Sequence, residues 1–395
     1  MIRTVGDRSG VVTARSEGQI AWDAPGAERR FRPRDGRAAA VNHALLVAPA
    51  LVTVGLFLRY HLAHQLSVDF HHDFWVAGFR VLHGLSPYDW TRSQIAGLAS
   101  FPYPAPAALL FVPFSLLPRG IGDVTFALLT LLACLSALRF LQVRDWRLYM
   151  LVLLWWPVIS GWQTANVTLL FVCGIAMLWR YRDRPLVAGA LLAVMLAVKP
   201  VVWPLVLWLL VTRRFRVAAL ALAAALGLNV VAWAVLGFEQ LATWTHLLMV
   251  QTDVLYREGY GLVALATHFG IGRSAGTVLQ ILASAALIGG CLHLGWQRRE
   301  RDAFALAIAL MLASSPLVDN HYFALLIVPL AITRPSLGRL WLVPLLLWLC
   351  PATGVAGWQA ALAWIVLAGV TAGLLRDTGS GSAPRVTSPQ PASSR

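Results

Sequence analysis

Asp69, His71, His72 and Asp73 crowd into the run V-D-F-H-H-D-F-W. A carboxylate held beside a reacting hydroxyl can take its proton as a general base. Aspartate and histidine at this spacing could instead hold a divalent cation, which would offset the charge of a leaving phosphate. A solvated loop would need neither, but titratable groups packed this closely favour a site. The presence of a metal stays open at this point.

Lys199 is the sole lysine in a chain with 32 basic residues. It interrupts the apolar run A-V-M-L-A-V-K-P-V-V-W-P. A charge at the middle of a membrane span costs ~2.5–3.5 kcal/mol. At an interface the ammonium could instead reach an anionic headgroup or hold a phosphate as a compact point charge. A lysine that merely marks a loop is the plainer alternative. Pro200 and Pro204 loosen the backbone beside it.

Two short turns carry further polar groups. S-G-W-Q-T-A-N-V-T-L-L contains Gln163 and Asn166, and S-S-P-L-V-D-N-H-Y-F-A-L-L contains Asp319, Asn320 and His321. Amides suit sugar hydroxyls, because they donate and accept at once. Helix capping explains both turns equally well.

These groups need a scaffold, and composition defines it. The 395 residues are 58% hydrophobic and 13% charged, with 17 Trp. Soluble domains carry roughly 25% charged residues, so the repeated apolar runs point to an all-α polytopic membrane bundle. Twelve candidate transmembrane helices fall near 40–58, 123–141, 148–160, 167–180, 185–197, 200–212, 217–236, 277–296, 303–314, 322–333, 337–350 and 356–375. The proline-punctuated segment 102–118 is expected to be re-entrant or interfacial; a thirteenth span there would invert everything after it. Residues 1–38 and 377–395 read as disordered cytoplasmic arm and tail, flanking a transmembrane domain over 39–376.

The formal charge of +14 does not indicate nucleic acid, because the arginines sit in short clusters between apolar runs. With twelve crossings those clusters gather on one side, which is then the cytoplasmic side of the plasma membrane, together with both termini. Most histidines and the acids Asp69, Asp73 and Asp319 fall on the other side. Cys134, Cys173, Cys291 and Cys350 each stand alone in an apolar run, with no metal-ligand spacing.

Several runs occur in a recognisable order: D-F-W-V-A-G-F-R-V-L-H-G-L-S-P-Y, F-P-Y-P-A-P, A-N-V-T-L-L, W-R-Y-R-D-R, L-A-V-K-P and S-S-P-L-V-D-N-H-Y. Together they resemble glycosyltransferase family 87, polyprenol-phosphate-sugar-dependent enzymes that include alpha-mannosyltransferases. The resemblance implies a GT-C-type bundle whose first outer loop carries the essential acid. V-D-F-H suits Asp69 for that acid, whereas the spacing to Gly84 suits Asp73. The resemblance maps the K-x-P segment onto Lys199 and Pro200 and the late histidine onto His321, both as donor-phosphate ligands. The family's G-Q-x-N turn reads Gln163-Thr164-Ala165-Asn166 here. His71, His72, Tyr103, Gln163, Asn166 and Asp319 are then candidates for sugar or acceptor binding.

The expected activity is inverting transfer of a hexose or pentose, mannose first, from a polyprenyl-phosphate donor to a lipid or polysaccharide acceptor at the non-cytoplasmic face. The expected partners are that donor, the acceptor and membrane lipids, without nucleic acid. No cofactor is required, although a divalent cation would fit. A lipid-linked-saccharide transporter or flippase, or an inactive membrane scaffold, is the alternative. The absence of visible repeats argues against a transporter.

Overall fold

The computed structural model describes residues 36–97, 99–351 and 353–379. Most of the expected arm at 1–38 and of the tail at 377–395 lies outside them. The chain divides after Val41 into two compact units, and the description below concerns the second.

The described chain is helical. Five helices are long and apolar enough to cross a membrane: Asn42–Leu62 within α1 (Gly36–Leu62), α5 (Arg119–Phe140), α11 (Phe215–Leu236), α14 (Arg273–Trp296) and Gly357–Arg376 within α17 (Gly357–Gly379). Their outward faces are apolar: Leu226, Val231, Ile281, Leu282 and Ile365 are all more than half exposed. Such surfaces would be costly in water and are natural in lipid.

Prolines explain why other apolar runs are shorter. α7 (Trp156–Gln163) and α8 (Thr168–Tyr181) form one apolar pair bent by 116°, which makes a sixth crossing if the pair is one span. α9 (Pro185–Val198) and α10 (Pro204–Val211) begin on prolines and are separated by a 3-10 turn over Pro200–Val202. Proline is well suited to a helix's first turn but lacks the N–H that would continue the preceding helix. Helix length therefore supports five or six of the twelve crossings expected; the other expected segments form helices that do not reach that length.

The segment 102–118 forms α4 (Ala105–Ser115). Its 11 residues span only about 16 Å, too short to cross alone, and it packs against α2 (Trp75–Leu82), α9 and α11.

The helices also sort the charges. α8 runs from Thr168 to the cluster Arg180–Arg184, and α9 returns from there to Lys199. About 21 Å of helix therefore separates the arginine end from the lysine end. At the arginine end Arg182 and Arg214 both pair with Glu300 at 2.9 Å, and Arg214 also pairs with Asp183.

At the other end the segment that carries Asp69 and Asp73 is anchored by aromatic packing. A short π-helical turn, Phe70–Phe74, leads into α2. Such turns often occur at functional sites. Phe70 and Phe74 are fully buried. Phe70 stacks on Phe126 with ring centroids 4.6 Å apart, and Phe74 stacks on Phe111 at 4.4 Å. α2 then lies directly on α4, because a Cβ on Gly78 would come within 2.6 Å of the Phe111 carbonyl oxygen.

Residues 237–276 carry α12 (Gln240–Leu255) and α13 (Leu262–His268). Trp244 donates to the Pro102 carbonyl at 3.0 Å, and Arg92 pairs with Asp253 at 3.1 Å. Those contacts tie the segment to residues 92–102.

Gly78→Ala is expected to destabilise the protein by about 1–3 kcal/mol, the usual cost of overpacking. Gly227→Ala in α11 should be neutral or slightly stabilising, because no neighbouring atom lies within 4 Å of the new methyl and alanine favours helix. Thermal unfolding of the two variants in the same detergent checks this contrast.

Candidate active site

Asp69 is held by backbone and side chain together. Its amide donates to the Thr164 carbonyl at 3.0 Å, and the Ser67 amide donates to the Gln163 carbonyl at 2.5 Å. The Gln163 side-chain amide donates to the Gln65 carbonyl, so it braces the loop behind the site. Asn166 is buried and donates through Nδ2 to Asp69 Oδ2 at 2.7 Å. The Asn166 Oδ1 accepts from the Thr168 amide at 3.0 Å and the Thr168 hydroxyl at 2.8 Å. One amide thus closes the turn into α8 and orients the carboxylate.

Asp73 stands four residues further on. Its Oδ1 is buried without a hydrogen-bond partner. An unpartnered buried carboxylate oxygen is unfavourable when ionised. Burial, followed by the neighbouring Asp69 charge, holds Asp73 well above the usual carboxylate range. Burial also lifts Asp69, to about 6, against the opposing hydrogen bond from Asn166. Burial thus favours the neutral form more strongly at Asp73 than at Asp69.

Lys199 ends α9 in an extended conformation, with φ −151° and ψ 100°. Its ammonium lies 5.2 Å from the Tyr103 ring centroid and 4.3 Å from that of Tyr322. It interacts electrostatically with Asp319, Asp69 and Asp73, yet forms no ion pair among the described residues. Asp319 is open to solvent although protein surrounds it closely, and burial raises it against the pull of Lys199. His321 is buried beside Tyr322, with ring centroids 5.1 Å apart, and its Nε2 has no partner.

The turn bearing Asp319 is fixed by Gly259 and Tyr260, between α12 and α13. Gly259 has φ +72°, and a Cβ there would lie 2.5 Å from the Val318 carbonyl oxygen. The Tyr260 amide donates to that same oxygen at 2.6 Å.

Asp69, Asp73, Tyr103, Asn166, Lys199, Asp319 and His321 thus share one region. His71 and His72 do not join them. The His71 Nδ1 lies 3.0 Å from Asp123 Oδ2, and its Nε2 lies 3.3 Å from Arg119. Both histidines line a separate hollow of about 350 Å³ with His61, His64 and Asp123. No group of three or more His, Cys, Asp or Glu side chains among the described residues is arranged to hold a metal ion. The histidines and the acids of V-D-F-H-H-D therefore do not form one ligand set.

Sequence reasoning missed Asp123, Arg119 and Tyr322. Asp123 had a signal, since a carboxylate opening an apolar span needs a partner. Tyr322 follows His321 directly and would have been found by asking what shields the only lysine.

A half-buried acid pair, an uncommitted ammonium and buried amide donors can bind a phosphorylated, hydroxyl-rich molecule and remove a proton from it. Comparison with curated proteins and comparison with solved structures each found no match. A family model, glycosyltransferase family 87, matches residues 101–317. That stretch includes Tyr103, Asn166 and Lys199 and stops short of Asp69 and Asp73 on one side and of Asp319 and His321 on the other. It covers more than half of the chain, which therefore belongs to glycosyltransferase family 87.

Proposed function

We propose that this membrane glycosyltransferase moves a sugar, mannose first among the candidates, from a polyprenyl-phosphate carrier to a lipid or polysaccharide acceptor, with inversion. The observation that carries this reading is the Lys199 ammonium, caged by two tyrosine rings and committed to no carboxylate. A polyprenyl phosphosugar brings one negative charge to that position, and transfer leaves a second on the phosphate. An interaction that strengthens as this charge develops accelerates the reaction. His321, with its unpartnered Nε2, is a second phosphate ligand.

Asp69 is the base in this scheme. It takes the proton from an acceptor hydroxyl while that oxygen forms the new bond to the anomeric carbon. The bond from the anomeric carbon to the phosphate oxygen breaks, and polyprenyl phosphate leaves with the electron pair. Asp73 stays protonated and contributes a neutral hydrogen-bond donor. Tyr103, Asn166 and Asp319 border the sugar or acceptor.

The reaction is assigned to the non-cytoplasmic face of the plasma membrane. The GT-C-type topology has twelve crossings, the shorter helices completing what the five long ones begin, with both termini cytoplasmic. Support comes from the separation of charge: the arginine clusters meet at one end of α8 and α9, and the acids and Lys199 meet at the other.

Asp69→Asn should lower transfer about 100-fold or more, the usual contribution of a general base. Asp73→Asn replaces a neutral acid by a neutral amide and should cost less than about tenfold. Single-turnover rates with a purified polyprenyl phosphosugar decide this; a larger loss for Asp73→Asn would reverse the two roles.

The wild-type rate should fall as pH drops through about 6, because Asp69 must be ionised to accept a proton. Asn166→Ala removes the hydrogen bond that opposes protonation, so the acid limb of the pH–rate profile should move to higher pH. An unmoved limb would separate Asn166 from the base.

Lys199→Gln should raise the KM for the donor about tenfold or more, the scale of one lost charge-assisted hydrogen bond. Steady-state kinetics over a donor titration reads it, and an unchanged KM would place the phosphate elsewhere.

A further inference from the structure

The arginine end of the bundle holds a second hollow, of about 400 Å³, lined by Thr212, Arg213, Arg214, Gly295, Arg298 and Glu300 together with Val211. It is built where the ends of α10 and α14 touch. A Cβ on Gly295 would lie 2.5 Å from the Val211 Cβ, so glycine allows the two helix ends to meet.

Both helices end in the same way. The Arg213 amide donates to the Leu210 carbonyl at 3.0 Å and the Arg214 amide to Leu209 at 2.8 Å. The Arg298 amide donates to Gly295 at 3.0 Å and the Arg299 amide to Leu294 at 2.9 Å. In this helix ending the left-handed position usually belongs to glycine. Here arginine occupies it twice, with φ 64° at Arg213 and 59° at Arg298. Gln142 ends α5 similarly, with φ 60°, so the turn alone is not the signal. The signal is that two such arginines lie on one hollow.

Their charges are uncommitted. Glu300 is taken by Arg182 and Arg214, each at 2.9 Å. The guanidinium groups of Arg213 and Arg298 have no hydrogen bond or ion pair among the described residues, and both residues are exposed. Large apolar residues adjoin them in the chain: Phe215 is 60% exposed and Trp296 82%. Guanidinium groups beside an exposed aromatic belt match the phosphate and the upper acyl chains of a lipid.

We infer that this hollow binds the phosphate diester headgroup of an anionic glycerophospholipid in the adjacent leaflet. The inference rests on the arginine end lying at a membrane surface and not on the transfer reaction at the other end. The lipid's phosphate sits between Arg213 and Arg298, and its chains run down the exposed faces of α11 and α14.

Native mass spectrometry of the full chain in a neutral detergent tests this, with dioctanoyl phosphatidylglycerol, dioctanoyl phosphatidylcholine and glycerol 1-phosphate as separate probes. The expected result is one phosphatidylglycerol held about tenfold more tightly than phosphatidylcholine, with no retained glycerol phosphate. The R213Q/R298Q double variant should lose that preference, and Arg216→Gln, outside the lining, should keep it. Equal binding of the two lipids would overturn the inference, as would glycerol phosphate bound as well as the lipid, which marks a soluble phosphate site. Unchanged preference in R213Q/R298Q would overturn it too. The wild-type comparison decides the matter even if the double variant fails to fold.

Discussion

An ammonium and several carboxylates brought together away from bulk water constrain everything around them. Lys199 acts electrostatically on Asp69, Asp73 and Asp319 without contacting any of them closely enough to form an ion pair. Each charge taken from water is costly unless it is paired, hydrogen-bonded or neutralised. The structure uses hydrogen bonding and neutralisation and withholds pairing. Asn166 bonds to Asp69, the rings of Tyr103 and Tyr322 flank the ammonium, and burial favours the neutral form of Asp73. An anionic phosphate entering beside Lys199 would supply the pairing that the protein withholds.

The helices exist, in this view, to hold those remedies in place. Asn166 sits on the sharp bend between α7 and α8, and Lys199 on the break between α9 and α10. Breaks at membrane depth expose backbone groups, which are tolerated only where protein or a wet cavity surrounds them. Here the same irregularities place the polar side chains. The aromatic cluster around Phe70 and Phe74 fixes the loop that presents Asp69 and Asp73 to them.

Much of this was legible in the residues. The helical membrane class follows from composition, and the family resemblance from ordered runs that the matched family bears out. A lone lysine flanked by prolines marked a helix break directly. Other features depended on contacts distant in sequence. The residues alone do not rank Asp69 and Asp73, because Asn166, which bonds Asp69 and not Asp73, lies on another element. His71 and His72 adjoin the acids in sequence, but Asp123 and Arg119 hold His71 at a different hollow. Crossing counts are weakly encoded for a related reason, since apolarity does not reveal where a proline will end one helix and begin the next. The spacing of Arg213 and Arg298 from their helix ends puts both on one cavity.

The central claim is cleavage of a polyprenyl phosphosugar at the sugar–phosphate bond. The direct measurement uses purified protein in sealed vesicles, with a donor labelled in both sugar and lipid and an acceptor supplied outside. The account predicts labelled sugar on the acceptor, with its anomeric configuration inverted, and an equal amount of free polyprenyl phosphate. Intact donor moved from one leaflet to the other, with both labels still joined, would contradict it.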